Sequence, residues 1–195
     1  MWIIGITGST GTGKSTITKQ LRIAFRVPVW DADQVVRELY QKNATVIRNV
    51  ERVFPSVINK MGCVDHSLLR QVAFSEPNAL TQLEEIIYPH LRQEVKKFIS
   101  QQDKAKQVLC VLDIPLLFEK GWDIFCCKTI VIWCDKNVQK GRLLKRGLKD
   151  FQIENILRNQ LSIEEKMKLA DYSLSSNLSK YYMFQHLQNI IQDLC

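Results

Sequence analysis

Eight residues near the start of the chain read Gly8-Ser9-Thr10-Gly11-Thr12-Gly13-Lys14-Ser15, directly after an apolar run (Trp2, Ile3, Ile4) and before a helix-compatible stretch. The G-x-x-x-x-G-K-S spacing between a strand and a helix marks a loop that cradles nucleotide phosphates. Gly8, Gly11 and Gly13 admit positive φ and put no side chain in the way, so successive N–H groups, that of Thr12 among them, turn into one concavity. A helix beginning near Lys14 adds its unpaired first-turn N–H groups and the positive end of its dipole. Lys14 is placed to reach β- and γ-phosphates and Thr16 the α-phosphate, while Ser15 offers a hydroxyl to Mg²⁺, an ion that takes oxygen ligands and keeps several waters. ATP and Mg²⁺ are the expected cofactors.

Three acids fall where apolar runs end. Asp31 and Asp33 follow Val27-Pro28-Val29-Trp30, and Asp113 follows Val108-Leu109-Cys110-Val111-Leu112. Ligands of a parallel sheet bind beyond the carboxyl ends of its strands, so these acids are expected to converge on the phosphate loop. Phosphoryl transfer needs positioning, charge neutralisation and a carboxylate near the acceptor hydroxyl. Asp33 is the candidate base, with Asp31 capping a helix or orienting the acceptor; the alternative is that both acids are helix caps. Asp113 is the candidate partner of Mg²⁺ or its waters, the alternative being a turn acid before Pro115. Arg142 and Arg146 stand one helical turn apart, with Arg158 on a later helix. Permanently charged guanidinium forks on a closing lid would neutralise the transferring phosphoryl group and exclude water; the alternative is a solvated basic face.

Elements that position these groups follow from hydrophobic period. A helix spans roughly Lys14 to Phe25. Positions 44–102 carry helical spacing, with Val46, Ile47, Val50 and Val53 in one stretch and Asp65 capping another that bears Leu68, Leu69 and Val72, and no strand is evident there. The apolar pentad 108–112 and the run Thr129–Cys134 read as strands buried on both faces. Tyr172-Ser173-Leu174 reads as a last short strand before a helix from Ser179. Alternating strands and helices give a parallel α/β sheet. The expected organisation is a core of 1–41, 105–136 and 162–195, a helical insertion at 42–104, and a basic mobile lid at 137–161.

At 195 residues, with 46% hydrophobic and 24% charged side chains, the chain is an ordinary globular domain. Its net charge of +7 comes without any block of Lys or Arg, so phosphate ligands account for it better than nucleic acid. Six cysteines lack C-x-x-C spacing and several sit in apolar segments, as free thiols of a reducing compartment do. With no leader pattern and no run of membrane-spanning length, a cytoplasmic protein without membrane association or an obligate protein partner is expected.

The order of these motifs resembles the dephospho-coenzyme A kinase family. The resemblance rests on Gly8–Thr16, Asp31-Ala32-Asp33, Asp113-Ile114-Pro115-Leu116-Leu117-Phe118-Glu119 and the Gln139/Arg142/Leu143/Arg146 helix. It extends to Asp65–Arg70, Phe74-Ser75-Glu76-Pro77, Tyr88-Pro89-His90-Leu91-Arg92, Glu164-Glu165-Lys166 and Ala170-Asp171. What it implies is a three-layer P-loop NTPase sandwich with a parallel sheet, helical insertion and lid, which moves a phosphate from ATP to the ribose 3′-hydroxyl of dephospho-CoA. Asp33 is then the base, the helical insertion at 42–104 is acceptor-binding, and Asp31, Tyr88, Pro89, Arg92, Leu116, Leu117 and Phe118 serve the acceptor. Arg146 and Asn177 serve the nucleotide. The chain departs from the family pattern at Tyr88, where His is usual, at Ser9-Thr10 in the loop, and at Ser176-Asn177-Leu178, where an Asn-x-Gly is usual. The remaining alternatives are a nucleoside monophosphate-type kinase and a non-catalytic ATP-binding switch.

Overall fold

The computed structural model describes residues 1–75, 78–177 and 179–194; Glu76 and Pro77 of the Phe74–Pro77 motif, Leu178 and Cys195 lie outside the described residues. The chain forms two compact units, one of residues 1–30 with 102–195 and one of residues 31–101. The second unit begins at Asp31, ahead of the boundary at 42 read from the sequence.

In chain order, β1 (Trp2–Thr7) leads through the phosphate loop into α1 (Lys14–Ala24), then β2 (Val29–Asp31), α2 (Ala32–Lys42) and α3 (Ala44–Val53). A 3₁₀ turn at Pro55–Val57 precedes α4 (His66–Ser75) and α5 (Ala79–Lys104). The chain returns to β3 (Leu109–Asp113), a 3₁₀ turn at Asp123–Phe125 and β4 (Lys128–Trp133). It ends with α6 (Lys136–Lys145), α7 (Asp150–Arg158), α8 (Ile163–Leu169), β5 (Tyr172–Ser175) and α9 (Lys180–Leu194).

The five strands form one parallel sheet in the order β2-β3-β1-β4-β5. Register sets Ile6 beside Asp113 and Thr7 beside Val131, so the loop after β1 and the acid ending β3 leave the same edge. All five residues of β3 are buried, as its unbroken apolar run requires of a strand covered on both faces. Ile4 and Ile6 point to one face, where Ile130, Ile132, Val111 and Leu174 join Ile17 and Leu21 of α1 and Met183 and Leu187 of α9. Gly5 faces the other way, and a Cβ there would lie 2.7 Å from Cys126 Sγ and 3.0 Å from a Leu117 methyl. The second strand starts at Val29 instead of Val27, while the Pro28 carbonyl still accepts from the Val111 N–H at 2.9 Å.

In the second unit Leu83, Ile87, Leu91 and Val95 make a buried stripe along α5 at four-residue spacing. Pro89 lies inside that helix on the other side of the stripe's period, removing one backbone donor. The stretch read as wholly helical carries one extended feature, an antiparallel bridge between Ile58 and Val64. Asp65 caps α4, its carboxylate accepting from the N–H groups of Ser67 (2.8 Å) and Leu68 (3.1 Å).

Candidate functional site

Gly13 opens α1 in the left-handed region at φ 95°, and no side chain caps this helix. Of its first-turn N–H groups that of Thr16 donates to the Gly13 carbonyl at 3.0 Å, and those of Lys14 and Ser15 are left for an anion. Gly8 is needed for space: any Cβ there would strike the Ile132 carbonyl oxygen. Within the loop the Thr12 hydroxyl and N–H both donate to the Ser9 carbonyl, at 2.8 and 3.1 Å. Ser15 is exposed in the first turn and Thr16 half-buried.

Lys14 reaches to the end of β3, where its ammonium pairs with Asp113. The carboxylate is 3% exposed and the ammonium 13%. A buried acid at this depth needs a cation, and a lysine so held is oriented before any phosphate arrives. Ser15 and Asp113 supply oxygen, the donor type magnesium takes, and two protein oxygens suffice for an ion that keeps waters and substrate phosphates. Among the described residues no group of three or more His, Cys, Asp or Glu is arranged to hold a metal by itself.

Residues of the expected lid grip the loop from its outer side. Gln139 Nε2 donates to the Thr10 carbonyl at 2.7 Å. Gln160 bonds the same residue twice, accepting from its N–H at 3.4 Å and donating to its hydroxyl at 3.3 Å. The Arg142 guanidinium donates to Ser176 Oγ and to the Ser176 carbonyl, both at 2.8 Å, and to the Gly11 carbonyl at 3.4 Å. Ser176 Oγ in turn donates to the Thr12 carbonyl at 2.5 Å. Arg142 thus joins the phosphate loop to the turn after β5. Arg146 caps the end of α6 in an exposed position, and the Asn177 side-chain Oδ1 accepts from the Asp135 N–H at 3.0 Å. A cavity of about 530 Å³ opens beside this clasp, lined by Ser9, Gln139, Lys140, Leu157, Gln160 and Glu164 among others.

Behind the Lys14–Asp113 pair the Pro115 carbonyl accepts from the Thr7 hydroxyl at 3.0 Å and from the Lys166 ammonium at 2.8 Å. Lys166 also pairs with Glu119 at 2.8 Å. Of the neighbouring acceptor candidates, Leu116 and Phe118 are half-buried. Leu117 is fully buried against Gly5, which makes it a core side chain and not a pocket wall.

In the second unit the two acids divide their work. Asp31 caps α2, accepting from the Gln34 N–H at 3.0 Å. Asp33, in the first turn, is exposed and makes no side-chain hydrogen bond or ion pair among the described residues. Tyr88, Pro89 and Arg92 share a pocket of about 460 Å³ with Thr81, Glu84 and Glu85. Burial, with the charge and hydrogen bond of Glu84, pushes the Tyr88 phenol upward. Tyr40 is pushed up to about 12 by burial and meets His66 edge-on at 5.5 Å. Burial and the Arg37 charge hold the His66 imidazole below its ordinary value.

Gln160 had no signal in the sequence, and Lys166 stood out only within the Glu164-Glu165-Lys166 motif of the resemblance, since nothing in periodicity separates a buried lysine from the solvated ones beside it. The pairing of Gln139 with Arg142 on one helix turn was visible.

Residues 2–180 match the dephospho-CoA kinase family. The dephospho-CoA kinase of Rhizobium meliloti (strain 1021) is 35% identical over 195 residues, spanning 100% of this chain and 98% of that protein. That of Symbiobacterium thermophilum is 36% identical over 173 residues, covering 88% of this chain and 72% of its own length. A solved structure from Thermus thermophilus superposes with a TM-score of 0.84 at 31% identity, covering 100% of this chain and 98% of that one.

Proposed function

The chain belongs to the dephospho-CoA kinase family, and we propose that ATP rests its phosphates on Gly8–Thr16 while the ribose 3′-hydroxyl of dephospho-CoA gives its proton to Asp33. The reaction is ATP-dependent phosphorylation of dephospho-CoA in coenzyme A biosynthesis. The α/β P-loop kinase fold is the scaffold for it.

The observation that carries the residue assignment is the buried Lys14–Asp113 pair. Its two halves have different destinations once nucleotide binds. Lys14 would serve the β- and γ-phosphates, and Asp113 with Ser15 would hold the magnesium ion that accompanies ATP, which would supply charge neutralisation for the transferring phosphoryl group. Asp33 suits the base because nothing on its own unit occupies it, whereas Asp31 is spent on the α2 cap. The hydroxyl oxygen attacks the γ-phosphorus, its proton passes to Asp33, the bond to the β-phosphate oxygen breaks, and ADP leaves.

Arg142 holds the loop in shape through Gly11 and Ser176 and, with closure of the lid, neutralises the transferring phosphoryl group, while Arg146 and Asn177 serve the nucleotide. Tyr88, Pro89, Arg92 and Asp31 of the second unit, and Leu116 and Phe118 of the first, serve the acceptor: apolar side chains and a guanidinium suit a molecule of adenosine, phosphates and pantetheine. Residues 42–104 serve as the acceptor-binding insertion and 137–161 as the lid. Cys63, Cys110, Cys126, Cys127 and Cys134 are free thiols and no described helix is long and apolar enough to cross a membrane, which supports work in the cytoplasm.

The test is ADP release by the purified protein with Mg·ATP, with and without dephospho-CoA, with the product identified by mass. Strong stimulation and formation of coenzyme A are expected. ATP binding without stimulation would overturn the acceptor assignment and point to a nucleotide acceptor.

A further inference from the structure

Lys166 has a fully buried side chain, 0% exposed, in a protein whose other lysines are mostly solvated. Burying an ammonium is costly, and apolar replacement of a buried ion pair is often neutral or stabilising. Stability is therefore a weak reason for a lysine here, and its contacts give a better one. Its ammonium donates to the Pro115 carbonyl and to Glu119 Oε1, both at 2.8 Å. Each acceptor also holds a second element: Pro115 takes the hydroxyl of Thr7, the last residue before the phosphate loop, and Glu119 Oε1 takes the N–H of Leu161 at 2.9 Å, next to Gln160. One nitrogen thus joins the entry of the loop, the segment following Asp113, and the base of the arm that grips Thr10. Lys166 and Lys14 also lie close enough to feel each other's charge.

We infer that Lys166 is a positioning residue for phosphoryl transfer, which through Pro115 and Glu119 fixes Asp113 and the Gln160 arm relative to the phosphate loop. It touches no reacting atom. The inference rests on the kinase reading above. Displacements of about 1 Å at a reacting centre lower rates on the order of 10²-fold, so losing this tie should appear in turnover. Glu119 Oε2 is buried without a hydrogen-bond partner among the described residues, so it offers no substitute tie.

The experiment compares the wild-type chain with Lys166→Met and with the double variant Lys166→Met/Glu119→Gln. The single variant strands a carboxylate nine-tenths buried and is expected to lose thermal stability. The double variant removes both charges yet leaves the Leu161 N–H an acceptor and the Pro115 carbonyl its Thr7 donor. Its melting temperature should return to that of the wild type or above. Its kcat with dephospho-CoA should stay down on the order of 10²-fold, with the KM for ATP within about threefold. A double variant that turns over within threefold of wild type overturns the inference. So does one that fails to fold, because the pair then belongs to stability, or one whose KM for ATP rises with kcat unchanged, because Lys166 then belongs to nucleotide binding. A wild-type chain inactive on dephospho-CoA would instead overturn the acceptor assignment, and the inference with it.

Discussion

In the nucleotide unit each of the named cations is held by an acid, by backbone or by both: Lys14 on Asp113, Lys166 on Glu119 and Pro115, Arg142 on Ser176 and Gly11. In the helical unit, residues 31–101, the proposed base Asp33 is exposed on a helix turn, while the Tyr40 side chain is buried and that of Tyr88 half-buried. The contrast matches the ligands. A triphosphate is handled by fixed N–H groups and cations whose orientation costs nothing at the moment of reaction. An acceptor of mixed polarity is handled by an apolar pocket with a few polar groups.

The strongest way to break that comparison is Lys14→Met. It removes the proposed phosphate contact and also takes from Asp113, 3% exposed, the ammonium paired with it. Turnover should fall by about 10³-fold or more, and the melting temperature should fall with it, because breaking a buried ion pair by removing one partner is destabilising. Kinetics together with a thermal melt check both. A variant that loses activity at unchanged stability would mean the pair does not organise the unit.

Asp33→Asn should behave in the opposite way. Because Asp33 is exposed and unpaired among the described residues, stability and the KM for ATP should stay near wild type while kcat drops on the order of 10²-fold or more, the usual worth of a general base. Near-normal turnover would remove Asp33 from that role. Asp31→Ala should instead cost about 1 kcal/mol of stability, since it removes the α2 cap.

A smaller effect separates the grip on Thr10 from the chemistry. Gln160→Ala deletes two long hydrogen bonds to one residue, worth about 1 kcal/mol together, or roughly fivefold in the KM for ATP. Titration of ATP at saturating dephospho-CoA measures it. A fall in kcat alone would show that the arm acts after binding.

How much of this was legible in the sequence follows the same contrast. The phosphate loop, the strand-end acids and the parallel sheet were readable because each needs particular residue types at fixed spacing: glycines at positive φ, a Lys-Ser pair, unbroken apolar runs such as 108–112. Asp31 and Asp33 were identical in kind, and only the structure shows Asp31 spent on the Gln34 N–H. Leu117 looked like its neighbours in the Pro115–Glu119 segment, yet packing against Gly5 puts it in the core. Lys166 and Gln160 act across long sequence separations, and no local pattern encodes a tie of that kind. The 3₁₀ turn at 55–57 and the bridge from Ile58 to Val64 interrupt a stretch whose local period is helical, because tertiary pairing overrode it.

The mildest perturbation, alkaline pH, reaches both units in sequence. Burial pushes the thiols of Cys126 and Cys110 in the nucleotide unit up to about 12 and about 11, from 9.0, and the Tyr40 phenol of the helical unit to about 12, from 10.0. Each group stays protonated in the folded chain after it ionises in the unfolded one. The unfolded state then binds fewer protons, and stability falls as pH rises. That contribution is whole below the unfolded value and is lost on the way up to the folded one. Stability measured by denaturant should therefore begin to drop above about pH 9 through the thiols and steepen above about pH 10 when the phenol joins. Cys126→Ala should lessen the slope from about pH 9 upward and Tyr40→Phe only above about pH 10. At pH 8 a thiol reagent should modify exposed Cys127 well before Cys126 or Cys110. If Tyr40→Phe flattened the curve from pH 9, the helical unit would hold an acid that burial at Tyr40 does not account for.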